Sequence, residues 1–155
     1  MPSPTISHII CTTALVSLIF IMPFYYGIVL DNISMDVARR ELKEIADYVS
    51  NTFSNLYFLV NSTQYLNVNL TKELTYLPLT VEDAIYVVKI TGSGGNATKI
   101  IAYLRERSSI ISETWLSPGM KIGSNDSVES WRGSIVAGCN RNNTGIYIWF
   151  SYGGS

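Results

Sequence analysis

The chain has 155 residues, room for one ordinary domain and one further segment. Hydrophobic residues make up 47% and charged residues only 15%, against about 25% charged in soluble domains. A net charge of −1 provides no electrostatic footprint for nucleic acid. Two cysteines, Cys11 inside an apolar run and Cys139 far along the chain, cannot build a disulfide framework.

The charge deficit is local. After a short tail (1–8), the run Ile9 to Leu30 is predominantly apolar, and no Asp, Glu, Lys or Arg occurs from Met1 to Leu30. A helix rising about 1.5 Å per residue over that run crosses a hydrocarbon core of about 30 Å. Lipid offers the backbone no hydrogen-bonding partner, so a helix is the expected form. Pro23 and Gly27 loosen its second half, and Phe24, Tyr25 and Tyr26 suit a membrane interface. A cleaved secretory signal fits poorly: no basic residue precedes the run, the run is too long, and no small-x-small site follows. The expectation is a retained single-pass anchor with membrane lipid as its partner.

Residues 31–62 read as an amphipathic stem helix. Ala38, Leu42, Ile45, Val49, Thr52, Leu56 and Leu59 recur at spacings of four and three, a stripe of helical period. Arg39, Arg40, Lys43, Glu44 and Asp47 fill the other side. Three heptads with one Thr make a thin coiled-coil seam, so the stripe is expected to pack on the protein's own sheet.

Residues 63–155 read as an antiparallel β domain. Ala84 to Ile90 and Lys99 to Leu104 are β-branched and aromatic, joined by the glycine-rich turn Gly92 to Asn96. A second pair runs Gly133 to Cys139 and Ile146 to Tyr152 around the turn Asn140 to Thr144. A short strand near Ile110 and Ile111 lies between the pairs. The expected fold class is α+β: a transmembrane helix continuing into an amphipathic helix packed on a four- to five-stranded antiparallel sheet.

Six Asn-x-Ser/Thr sequons begin at Asn32, Asn61, Asn69, Asn96, Asn125 and Asn142, where chance supplies roughly two. All lie on one side of the anchor and argue for an extracytoplasmic, N-glycosylated domain. Arg39, Arg40 and Lys43 flank the same side and argue for the cytosol by the positive-inside rule. The sequons are the stronger signal, and they are the candidate modification sites.

Chemistry-bearing residues are few. The one His is His8, beside the anchor, so a Ser-His-Asp or Cys-His arrangement cannot form in the domain. Zinc needs several His or Cys ligands, and the domain offers Cys139 alone. The acid pairs Glu82-Asp83 and Asp126 with Glu129 sit beside turns, where solvated acids are common. The Gly92–Gly95 run lacks the Lys-Ser/Thr of a phosphate loop. No enzyme signature survives, and no cofactor or metal is expected. The last strand is apolar on both sides, so Tyr147 and Trp149, with Trp115 and Trp131, form a candidate interaction surface; the alternative is that these rings close a small core.

An uncharged apolar segment (Ile9 to Leu30), an amphipathic stripe (Ala38 to Leu59) and an antiparallel sheet from Ala84 to Tyr152 together resemble the type IV pilin-like proteins. Sequon density and domain size resemble their archaeal branch, which includes pilins, archaellins and membrane accessory proteins. The resemblance implies a cell-surface structural or interaction protein that self-associates or joins a pilus- or archaellum-type assembly. The alternative function is a membrane-anchored binding or accessory module that recognises an envelope component or ligand through the aromatic surface.

Overall fold

The structure, a computed structural model, describes residues 4–154. Residues 1–3 of the expected tail, and Ser155 at the end of the expected β domain, lie outside the described residues. The chain divides into two compact units, Met1–Val37 and Ala38–Ser155.

The first unit is helical. Helix α1, Pro4–Ser62, begins inside the stretch expected to be a tail and runs on into the second unit. It is the one helix among the described residues that is long and apolar enough to cross a membrane. From Pro4 to Asn32 every side chain except Val29 is exposed. Three hydroxyls that interrupt this apolar surface are satisfied within the helix. Thr12 donates to the His8 carbonyl, Thr13 to that of Ile9 (2.8 Å) and Ser17 to that of Thr13 (2.8 Å). Such back-bonding makes these three hydroxyls independent of water.

In the second unit, helical period becomes burial. Ala38, Leu42, Ile45, Val49, Thr52 and Leu56 are buried as the stripe predicts, joined by Ala46, Phe53 and Val60. Leu59 departs from the stripe: it is 53% exposed, and Val60 turns inward in its place.

The sheet holds eight strands rather than four or five. They are β1 (Asn69–Glu73), β2 (Tyr86–Ser93), β3 (Asn96–Leu104), β4 (Ile111–Trp115), β5 (Met120–Ile122), β6 (Ser127–Glu129), β7 (Ile135–Asn142) and β8 (Gly145–Tyr152). Two hairpins, β2–β3 and β7–β8, form its frame. β1 extends the second hairpin beyond β7, and β4 extends the first beyond β3. The short strand β5 joins the halves, and the short strand β6 lies beyond β2. β5 runs parallel to β8 and meets β3 at Asn96–Lys121, and β6 pairs antiparallel with β2. The sheet is therefore mixed, with β5–β8 as its parallel pair.

Period-two alternation sorts the two faces. Val88, Ile90, Ile100, Ala102, Ile135, Ala137, Cys139, Ile148 and Phe150 are all buried on the inner face. The Phe53 and Phe150 rings meet edge to face at 5.2 Å and 63°, which places the helix on that face. Polar contacts run along the same seam. Lys43 Nζ donates to the Glu113 carbonyl (2.9 Å) and to Thr114 Oγ1 (2.6 Å), while Thr114 donates to the Asp47 carboxylate. Lys43 and Asp47 pair at 3.0 Å, Ser112 Oγ donates to the Arg39 carbonyl, and Ser50 Oγ donates to that of Trp115.

Two tests follow from this packing. Phe53→Ala empties a fully buried ring site and is expected to cost about 3–5 kcal/mol in denaturant unfolding. Phe58→Ser, at a ring 72% exposed on the same helix, should stay within about 0.5 kcal/mol. The second test concerns pH. Partial burial pushes the Asp47 carboxyl up, but the Thr114 hydroxyl and the Lys43 ammonium outweigh it, so its pKa lies below 3.8. A depressed folded pKa contributes stability that is present above the unfolded value and lost as pH falls through the folded one. The pair is half-exposed, which limits the effect to about 1 kcal/mol. Asp47→Asn should be less stable than wild type near neutral pH, and the difference should close in acid.

Candidate functional site

The acids singled out in the sequence take part in local structure. Asp126 lies 3.8 Å from Lys89. Glu129 accepts from Trp131 Nε1 at 2.7 Å and pairs with Arg132 at 3.2 Å and Arg105 at 3.7 Å. Glu82 and Asp83 carry positive φ (48° and 59°) in a tight turn. No group of three His, Cys, Asp or Glu gathers as a metal site among the described residues. Cys139 is buried on the inner face, and burial pushes its thiol up to about 11, so it stays protonated and inert at neutral pH.

The glycine run forms the expected turn between β2 and β3. Gly94 and Gly95 adopt φ of +60° and +82°, the left-handed region that a two-residue hairpin turn requires.

The four aromatic candidates lie on different elements. Trp115, on β4, is 67% exposed, and Lys99 Nζ stands 4.3 Å from its ring centre. Trp131, in a 3-10 turn (Ser130–Arg132), is 54% exposed and held by Glu129 and the Arg132 guanidinium. Tyr147 and Trp149 are half-buried on the outer face of β8. Tyr147 Oη contacts Thr144 Oγ1 at 2.9 Å, and Lys121 Nζ lies 5.6 Å from its ring. Trp149 lies flat over its cross-strand partner: a Cβ at Gly138 would come within 2.2 Å of the indole. No ring contact joins any two of these four among the described residues.

The sequon asparagines are mostly presented to solvent. Asn32, Asn61, Asn69, Asn96 and Asn142 are exposed, while Asn125 is half-buried. Asn125 Nδ2 donates to the Phe150 carbonyl at 3.1 Å, so its amide nitrogen joins the loop to β8. Asn142 is held differently: its Oδ1 accepts from Thr144 N (3.0 Å) and Thr144 Oγ1 (2.7 Å), which leaves Nδ2 turned away. That convergence of both Thr144 donors on Oδ1 is an Asx turn within the sequon.

An open cleft of about 530 Å³ lies between the helix and the chain after β1. Glu41, Glu44 and Tyr48 line one side, and Tyr76 and Pro78 the other. Tyr48 and Tyr76 meet edge to face at 6.0 Å. Position along the sequence alone had not brought these residues together, since a contact between the helix and a loop some 30 residues later leaves no periodic trace.

The Gly138 pairing is directly testable. Gly138→Val drives a branched side chain into the indole and should cost about 1–3 kcal/mol. With Trp115 and Trp131 replaced by Phe, the remaining emission of Trp149 should shift to the red as its ring is expelled into water.

No known protein family, curated protein or solved structure matches this chain.

Proposed function

We propose that this chain is a single-pass membrane-anchored, pilin-like structural protein whose folded domain faces away from the cytosol. One observation carries the reading: the change in character along helix α1. Its first 30 residues expose large apolar side chains on all sides (Ile10, Leu15, Ile19, Phe20 and Ile28 are each more than half exposed), and the hydroxyls of Thr12, Thr13 and Ser17 close back on the helix. Soluble monomers do not leave such a surface to water. From Ala38 the helix instead buries one stripe in the sheet. A greasy segment covalently continuous with a packed helix lets contacts between neighbouring anchors be transmitted to the folded domain, which suits an assembling subunit better than a bare tether. The sequons support the outward placement.

The second reading is an anchored binding module. It draws on Trp115 and Trp131, whose exposed rings are held by Lys99 and Glu129 rather than left mobile.

Cross-linking distinguishes the readings. With Cys11→Ser and Ser17→Cys, and with Cys139 shielded by burial, oxidation in native membranes should give disulfide-linked dimers through the anchor. The same membranes should resist alkaline extraction, and proteases added to intact cells should digest the domain. A strictly monomeric protein that accompanies no surface appendage would count against the structural reading. Co-isolation with envelope polysaccharide in place of further copies would favour the binding module.

A further inference from the structure

Four of the sequons converge on one end of the folded unit, although they are spread over more than 80 residues of sequence. Arg141 links three of them. Its Nη1 donates to the carbonyl of Thr63, the third residue of the Asn61 sequon, at 3.0 Å. Its backbone N–H donates to Val68, and the neighbouring pair Asn69–Asn140 sets the Asn69 sequon beside it. Arg141 itself precedes Asn142. Lys121 joins the fourth: its Nζ donates to the Thr144 carbonyl at 2.7 Å, and its backbone pairs with Asn96. Asn61 and Asn142 line the same hollow of about 460 Å³. The end is thus built from the last turn of α1, the start of β1 and the turns of both hairpins.

The opposite end carries no sequon asparagine. There the helix passes Arg39, whose backbone carbonyl accepts from Ser112 Oγ, and β2 and β7 begin at Tyr86 and Ile135. Asn125 lies between the ends. Its partner Phe150 is five residues beyond Gly145 on β8, about 17 Å along an extended strand.

The sequon end also exposes apolar side chains. Phe58 is 72% exposed, Leu59 53%, Tyr65 79% and Leu66 60%. Unlike the apolar run of the first unit, these alternate with Asn61, Asn67 and Asn69. Carbohydrate suits such a surface. Sugar rings present C–H faces that pack on aromatic and aliphatic side chains, while their hydroxyls stay in water.

We propose that Asn61, Asn69, Asn96 and Asn142 are N-glycosylated, that Asn125 is not, and that the four glycans form a cap over Phe58, Leu59, Tyr65 and Leu66. The proposal rests on the extracytoplasmic placement above. The donor is a lipid-linked oligosaccharide, carried on phosphate or pyrophosphate and transferred by a separate membrane enzyme. At each site an Asn Nδ2–C1 bond forms as the C1–O bond to the lipid phosphate breaks. The leaving phosphate oxygen takes the electron pair, and one Nδ2 proton passes to a base of the transferase. Asn96 and Asn142 offer their amides at hairpin turns, Asn61 at a helix end and Asn69 at the start of an edge strand. Asn125 has its nitrogen committed to β8.

The test is glycopeptide mass spectrometry of the full chain from the membranes of its source, with protease digestion of intact cells in parallel. Glycan mass at Asn61, Asn69, Asn96 and Asn142 and none at Asn125 is the expected result. Thr144→Ala should remove the Asn142 glycan alone and Thr144→Ser should retain it, a difference that a purely structural role for Thr144 does not produce. Enzymatic or chemical removal of the glycans from the folded protein should raise binding of an apolar dye. Bare asparagines at those four sites on a domain that proteases digest from outside overturn the cap and leave the placement standing. Bare sites on a protected domain overturn both. Glycan at Asn125, or no change in dye binding after deglycosylation, overturns the cap as drawn.

Discussion

The second unit depends on one burial: the inner face of the sheet has the amphipathic part of α1 as its cover. Val88, Ile100, Ala137, Ile148 and Phe150 on the sheet and Leu42, Val49, Phe53 and Leu56 on the helix are all buried, and the Phe53 and Phe150 rings meet across that contact. Fully burying a side chain of this size is worth about 1.5–3 kcal/mol. Neither partner is stable alone, since the helix stripe would be wet and so would one whole face of the sheet. The polar seam of Lys43, Asp47, Ser50 and Ser112 adds direction more than strength, because these groups are partly exposed. It fixes which turn of the helix stands over which strand.

That constraint sorts the side chains of the outer face. Once Ile146, Ile148 and Phe150 are committed inward, Tyr147 and Trp149 must point outward. Trp149 would then expose a large ring, and Gly138 opposite supplies the space for it to lie against the backbone. The same logic accounts for Trp115. On β4 it falls in register with Lys99, and the outer face there holds the Lys99–Glu113 ion pair at 3.0 Å. The ring stays in water with a cation above it.

Much of this architecture was legible in the sequence, because period carries it. The helical stripe and the two hairpins are repeated local patterns, and each strand of those hairpins lies within a few residues of its expected place. The extra strands were hidden for different reasons. β1, Asn-Leu-Thr-Lys-Glu, is a polar edge strand with almost no apolar alternation. β5 and β6 are three residues each, too short for any period, and exist because β8 and β2 offer unpaired edges. Leu59 was misassigned inward because the stripe drifts: by the last turns Val60 faces the core and Leu59 does not. The sequons were readable one by one as three-residue motifs. Their convergence was not, since it depends on Arg141 and Lys121 reaching across pairings far apart in sequence.

The two units leave apolar surface exposed in two chemically different ways, and the difference bears on what each meets. From Pro4 to Leu30 the exposed surface lacks Asp, Glu, Lys and Arg and is nearly continuous, and the hydroxyls of Thr12, Thr13 and Ser17 are closed on the backbone. Such a surface is compatible with a medium that offers no hydrogen bonds. Around Phe58 and Tyr65 the apolar groups are single rings and branches set among asparagines, at a surface that also carries the Arg141 guanidinium and a hairpin turn. Lipid would leave those amides and that charge unsatisfied. A polar partner with apolar faces satisfies both, and it need not be recruited from elsewhere if the chain carries it covalently. Helix α1 thus carries exposed apolar surface of two kinds, and the sheet it covers sets where the second of them is assembled.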